Sequence, residues 1–126
     1  MMAEKCFCGS QNNFEDCCDP YISGIQKAPS ALALMKSRYS AYATHQADYL
    51  LSTTYFSERK YYSKEEIMNW ATSNKWQKLE IISATENTVE FKAYFMDSNN
   101  IEKVHHEFST FKQENGCWFY LDGKFK

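Results

Sequence analysis

The sequence predicts an α+β fold, one domain with a small cysteine-rich appendage at its N-terminus, and three observations carry that expectation. Cys6, Cys8, Cys17 and Cys18 crowd into the opening segment. Helix signals follow from Ser30 to Ala71. From Trp76 onward the apolar period shortens to that of strands separated by turns. Helices first and a strand meander afterwards argue for an antiparallel sheet that curves around helices covering one of its faces.

In the appendage, Cys6-x-Cys8-Gly9-Ser10 is followed by the adjacent pair Cys17-Cys18, with eight residues between Cys8 and Cys17. That is enough for a short loop to turn back and present two thiolates from each end to one tetrahedral ion. Zinc is the expected cofactor, because four sulfur donors in a tetrahedron suit it and leave no open position for water. Cys6, Cys8, Cys17 and Cys18 are the expected ligands, and the ion is expected to fold residues 1–20 rather than to act in catalysis. Gly9 would let the backbone turn sharply and offer amides to the sulfurs. An iron–sulfur cluster or a redox pair stays open on spacing alone, whereas a disulfide between the neighbours Cys17 and Cys18 is disfavoured by geometry. Chelation is expected to unfold the appendage and leave the body intact.

A seam runs from residue 19 to residue 30, where Asp19-Pro20, Ser23-Gly24 and Pro29-Ser30 are turn and breaker signals. It divides residues 1–28, the metal-binding motif and linker, from the α+β body at residues 29–126. Tyr21 and Ile22 give the linker apolar side chains with which to dock. Ser30 is the expected N-cap of a helix in which Leu32, Met35, Tyr39 and Tyr42 recur at intervals of three or four, one buried stripe. Asp48 is expected to cap a short turn through Tyr49-Leu50-Leu51. Ser63-Lys64-Glu65-Glu66 reads as a capping box, after which Ile67, Trp70 and Ala71 face inward. Strands are expected at residues 78–83, 89–96, 104–112 and 118–121, parted by Glu86-Asn87, Asp97-Ser98-Asn99-Asn100 and Asn115-Gly116.

Composition bounds the rest. With 126 residues, 44% hydrophobic and 17% aromatic, the chain can bury one core, and a second full domain would lack the material. The formal charge is -2, and a dication held by four thiolates would take it to about -4, which is no footprint for nucleic acid. No apolar run approaches the roughly 20 residues of a membrane helix, and Met1-Met2-Ala3-Glu4-Lys5 does not resemble a signal peptide. A cytoplasmic protein with no membrane partner is the expectation, and clustered cysteines in a reducing compartment hold metal or do redox chemistry more often than they pair. Cys117, between Gly116 and Trp118, reads as a small core residue.

The segment from Cys6-x-Cys8-Gly9-Ser10 to Cys17-Cys18 resembles the SEC-C motif, a zinc knuckle known from the tail of the secretion ATPase SecA. Residues 34–42 (Leu-Met-Lys-Ser-Arg-Tyr-Ser-Ala-Tyr), Asp48-Tyr49-Leu50, Val89-Glu90-Phe91, His106-Glu107-Phe108-Ser109 and the run from Gly116 to Gly123 look like the YchJ-type bacterial proteins. That resemblance spans nearly the whole chain. It implies a SEC-C zinc knuckle ahead of a cone-shaped domain similar to nuclear transport factor 2, with helices packed on a curved antiparallel sheet, and it implies no defined activity. Two features depart from the motif. The loop from Gln11 to Asp16 carries no positive charge where the SecA tail is lysine-rich, which weakens docking onto an acidic surface. Gln11 stands where a second glycine is common, and Phe7 where a proline is.

A cone would bring further residues together. The candidate cavity residues are Arg38, Tyr42, His106, Glu107 and Trp118, with Trp70, Trp76, Phe91, Tyr94 and Phe95 as apolar lining. His105 and His106 must point to opposite faces of their strand, with Glu107 and Ser109 on the His105 side. Arg38, beside Tyr39 and Tyr42, is placed to meet an anion or a carboxylate such as Glu107. Two functions follow: a zinc-dependent module that binds another protein, which is favoured, and a cone that binds or transforms a small molecule.

Overall fold

The computed structural model describes residues 5–126. Helices α1 (Asp19–Ile22), α2 (Ala31–Ala43), α3 (Ala47–Ser52) and α4 (Lys64–Ser73) precede strands β1 (Lys75–Ala84), β2 (Thr88–Met96), β3 (Glu102–Glu114) and β4 (Cys117–Phe125). The strands form one antiparallel sheet in the order β1-β2-β3-β4. The α+β reading therefore holds, and each strand is longer than expected at one or both ends because residues at the tips still pair.

Ser30 caps α2 as expected, its hydroxyl accepting from the Ala33 amide at 3.0 Å. The helix is not a one-sided stripe, however. Ala31, Leu34, Met35, Ser37, Arg38, Tyr39, Ser40 and Ala41 are all buried, since the sheet, α3 and the cysteine knuckle enclose it on different sides. Leu34, Met35 and Tyr39 pack on Val89, Phe91, Ala93 and Phe111 of the sheet, while Ala41 joins Ala47, Leu50 and Ile67 in a second cluster. The polar members are satisfied: Ser37 Oγ donates to the Leu34 carbonyl at 2.8 Å and meets the Tyr49 hydroxyl at 2.7 Å.

Asp48 is not a cap. It lies in the first turn of α3, where its exposed carboxylate pairs with Lys64 at 2.8 Å and suits the positive helix end. At Ser63 only half of the capping box forms, the hydroxyl accepting from the Glu66 amide at 3.0 Å. Ile67 and Ala71 face inward, whereas Trp70 is 44% exposed. Asp19-Pro20 opens a helical turn instead of breaking one, which proline permits at a first position. The 3-10 turn over Phe56–Tyr61 was not foreseen. Cys117 is half-buried at the start of β4, opposite Glu114, and so is not a core residue.

Alternation on β2 buries Val89, Phe91, Ala93 and Phe95 and leaves Tyr94 on the outer face, bonded to Glu80. On β4 a bulge at Leu121 breaks the alternation, because Thr110 pairs with Asp122 while Phe111 pairs with Tyr120. The bulge puts Trp118 and Tyr120 on the concave side and returns Gly123 and Phe125 to it. The free edge of β4 is covered by residues 53–55, with the Tyr55 amide donating to the Tyr120 carbonyl and the Tyr120 amide to the Thr53 carbonyl at 2.8 and 2.7 Å.

Candidate functional site

Two constellations stand out. The first is the knuckle. The Cys6 amide donates to the Asn12 carbonyl and the Gly9 amide to the Cys6 carbonyl, closing a tight loop with Gly9 and Gln11 at φ 87° and 71°. A 3-10 turn over Phe14–Asp16 then brings Cys17 and Cys18 back. All four Sγ atoms lie within 4.8 Å of one another, and Cys8 Sγ to Cys17 Sγ is 3.7 Å. A tetrahedron with metal–sulfur bonds of about 2.3 Å spaces its corners by about 3.8 Å, so the donor set fits a four-thiolate ion.

The proton chemistry of the thiols points the same way. Hydrogen bonds from Cys18 and Cys8 hold the Cys6 thiol far below its ordinary value. Hydrogen bonding to Cys6 and Cys8 pushes Cys18 up, and burial pushes Cys17 up. Cys6 gives up its proton readily while Cys17 and Cys18 resist losing theirs, and a cation bound among the sulfurs would favour the thiolate form.

The knuckle is docked. Cys18 is 1% exposed, Cys6 Sγ sits 3.6 Å from Ser40 Oγ of α2, Phe7 and Tyr21 pack on the first core cluster, and Ile22 packs on the second. Phe7, in the common proline position, meets Phe14 edge-on at 5.4 Å between ring centroids.

The second constellation is a cavity of about 460 Å³ between the helices and the concave face of the sheet. It falls within the range of small-molecule sites. Of the expected cavity residues, Arg38, Tyr42 and Glu107 line it. His106 does not. It lies on the outer face, bonded to Glu90 at 2.8 Å, and His105 lines the cavity in its place. Residue parity along β3 puts odd-numbered side chains inward, so the site that holds Glu107 must hold its neighbour at two, not one, along the strand. Trp118 also misses the cavity. It is concave-facing but lies beyond Tyr120, packed on the first cluster with its Nε1 buried and unpartnered. Trp70, Trp76 and Phe91 line the cavity, Phe95 supports Trp70 and Trp76 from behind, and Tyr94 is outside.

Glu107, 8% exposed, is the node. Its Oε1 meets His105 Nε2 at 2.8 Å, and its Oε2 accepts from the Ser109 hydroxyl at 2.5 Å and the Tyr120 hydroxyl at 3.0 Å. Burial by itself would raise this carboxyl, but the donors His105, Ser109 and Tyr120 outweigh it and hold the group below its ordinary value. Burial, reinforced by the Glu107 charge, pushes the Tyr120 phenol up, so it stays a donor. In the tautomer that donates Nε2–H to Glu107, a neutral His105 would offer Nδ1 to a ligand as an acceptor. Gly123 belongs to the same node: a Cβ there would run into the Glu107 carboxylate and the Tyr120 hydroxyl. Its place within a strand was the signal available in the sequence.

Arg38, 7% exposed, reaches the cavity without touching Glu107. Its Nη1 donates to the Leu50 carbonyl at 2.8 Å and to Thr53 Oγ1 at 2.7 Å, and its guanidinium lies 4.6 Å above the centre of the Tyr120 ring.

Fold and sites together define an α+β cone that carries a four-cysteine knuckle on its helical side. The family described as YchJ, middle NTF2-like domain, matches residues 30–123, and a UPF0225 protein of Geobacter sulfurreducens is 33% identical over 97% of this chain and 80% of its own length. The chain belongs to the YchJ family. A UPF0225 protein of Yersinia pestis is 38% identical over 97% of this chain and 84% of its own. Among solved structures, a SEC-C motif containing protein from Rhodopseudomonas palustris superposes with a TM-score of 0.88 at 34% identity, covering 96% of this chain and 98% of that one. Another, from Psychrobacter arcticus, gives 0.80 at 29% identity over 97% and 81%. No helix among the described residues is long and apolar enough to cross a membrane.

Proposed function

We propose that this chain is a small-ligand-binding cone, braced by a knuckle in which Cys6, Cys8, Cys17 and Cys18 hold a structural zinc ion. The observation that carries the reading is the 460 Å³ cavity on which Arg38, His105, Glu107 and Tyr120 converge. A cone built only as a rigid support has no need of buried charge, which costs stability unless it serves something. Zinc is supported by the donor set and its spacing, and a brace by the burial of Cys18 and the contact of Cys6 with Ser40.

The test is native mass spectrometry of the protein purified from its own host, beside an Ala93→Trp variant that fills the cavity from β2. The reading expects one zinc ion in both samples and a retained small molecule in the first alone. Zinc-loaded protein that never carries or takes up a small molecule sinks the cone half of the reading. Cysteines free of metal sink the other half.

Docking of a partner protein on the knuckle is the second reading, with one observation in its favour. An open groove of about 330 Å³ runs beside Cys17, lined by Ser10, Asn12, Asp16, Tyr21 and Lys36 among others. Pull-downs that recover the same partners after Ser replaces the four cysteines would remove it.

A further inference from the structure

Beside His105 and several tyrosines, the cavity is lined by one carboxylate, Glu107, and one guanidinium, Arg38, and these two are not partners. Glu107 has both oxygens engaged, by His105 on one and by Ser109 and Tyr120 on the other. Arg38 has only a carbonyl, a hydroxyl and an aromatic face. Among the described residues no ion pair includes Arg38, and all its hydrogen bonds leave from Nη1. Among the described residues the polar side-chain atoms sealed without a partner are Glu114 Oε2 and Trp118 Nε1. The unused N–H groups of Arg38 are thus not sealed in the core, and on a cavity-lining side chain they are open to the cavity. A guanidinium this buried is ordinarily matched by an anion.

Resting on the ligand-binding reading above, we infer that the natural ligand is an amphipathic organic monoanion. Its carboxylate or sulfonate-type group is held by Arg38, and its flat apolar body lies along Trp76, Phe91 and Phe125. Three features select this class. Among the described residues Arg38 is the one lysine or arginine lining the cavity, and His105 is already engaged by Glu107, so one negative charge is matched and a second is not. The Tyr42 hydroxyl, also on the lining, has no recorded protein partner and can donate beside the guanidinium. The remaining wall is apolar and largely aromatic: Met35, Tyr39, Ile67, Trp70, Trp76 and Phe91, with Phe125 at the mouth. Such a wall binds a planar body by burial and edge contacts.

The experiment compares two dyes that share one body, 8-anilino-1-naphthalenesulfonate and its uncharged parent N-phenyl-1-naphthylamine, titrated into zinc-loaded full-length protein. The sulfonate is expected to bind at least tenfold more tightly. Arg38→Met is expected to abolish that advantage while leaving the uncharged dye within about twofold, and Ala93→Trp is expected to block both. Equal affinity for the two dyes overturns the inference but leaves the ligand-binding cone standing. Binding of neither dye overturns both. Sulfonate binding that survives Ala93→Trp places the anion outside the cavity and overturns the inference as well. Should Arg38→Met fail to fold, displacement of the uncharged dye from the wild-type protein decides the matter. There 1-naphthylacetate is expected to compete at least tenfold better than 1-naphthaleneethanol, and equal competition overturns the inference.

Discussion

The knuckle and the cone are held together by opposite means. In the knuckle, neither the 3-10 turn nor α1 contains a buried residue, and the interior is mainly sulfur with Phe14 and Ile22 packed around it. So little apolar area cannot offset the chain entropy of ordering the segment, and the proposed metal ion would supply the difference. The cone has an apolar core from α2 and the sheet, and its risk lies elsewhere, in one buried carboxylate that three donors must keep satisfied. A local ionic staple and a distributed hydrogen-bond node therefore fail under different treatments.

The sharpest way to break that contrast is to remove the metal. The sequence suggested that chelation would spare the body, but Cys6 touches Ser40, and Tyr21 and Ile22 complete both core clusters. Chelation, or Cys18→Ser, is expected to cost the whole chain about 3 kcal/mol or more, roughly 10 °C in Tm. Calorimetry of zinc-loaded and chelated protein checks it. A Tm that does not move would make the knuckle a passenger.

Next in size are changes at the carboxylate node. Gly123→Ala is expected to lose about 1–3 kcal/mol, because its methyl group displaces the Glu107 carboxylate and the Tyr120 hydroxyl. The zinc content should not change. Glu107 also sets a pH dependence. Its folded value lies below the ordinary 4.5, so its stabilisation is complete above that pH and is lost as pH falls through the lower folded value. Glu107→Gln should be less stable at neutral pH by about 1–3 kcal/mol and should lose less stability than wild type between pH 5 and 3, measured by urea unfolding at each pH.

The same contrast explains what could be read from the sequence. The knuckle was legible because its four cysteines lie within thirteen residues of one another and spacing alone brings them together. Meander and helix order were legible from period and turns. The cavity was only half legible, since it draws on α2, residues 54–62, α4 and all the strands but for the shared parity of β3. That parity already excluded His106 beside Glu107, and choosing it overrode the simplest rule available. Trp118 and Gly123 depended on the Leu121 bulge, which no local pattern announces. Arg38 was picked out by its aromatic neighbours, but its partners Leu50 and Thr53 come from a tertiary contact.

The smallest effect tests the knuckle by its backbone alone. Gln11 adopts φ 71°, and Gly9 adopts φ 87°. For a residue with a Cβ the left-handed region costs about 1 kcal/mol. Gln11 is exposed and its side chain makes no recorded hydrogen bond, so removing it loses little. Gln11→Gly relieves the strain but loosens the unfolded chain, leaving an expected net gain of about 0.5 kcal/mol. Gly9→Ala is the mirror experiment. Nothing lies within 4 Å of the added Cβ, so its expected loss of about 1 kcal/mol is backbone strain only. Both are read as zinc affinity in a chelator competition and as Tm. Opposite signs at the two positions establish the loop geometry that presents Cys6 and Cys8, and a Gln11→Gly variant that binds zinc more weakly would mean that Gln11 holds the loop through its side chain.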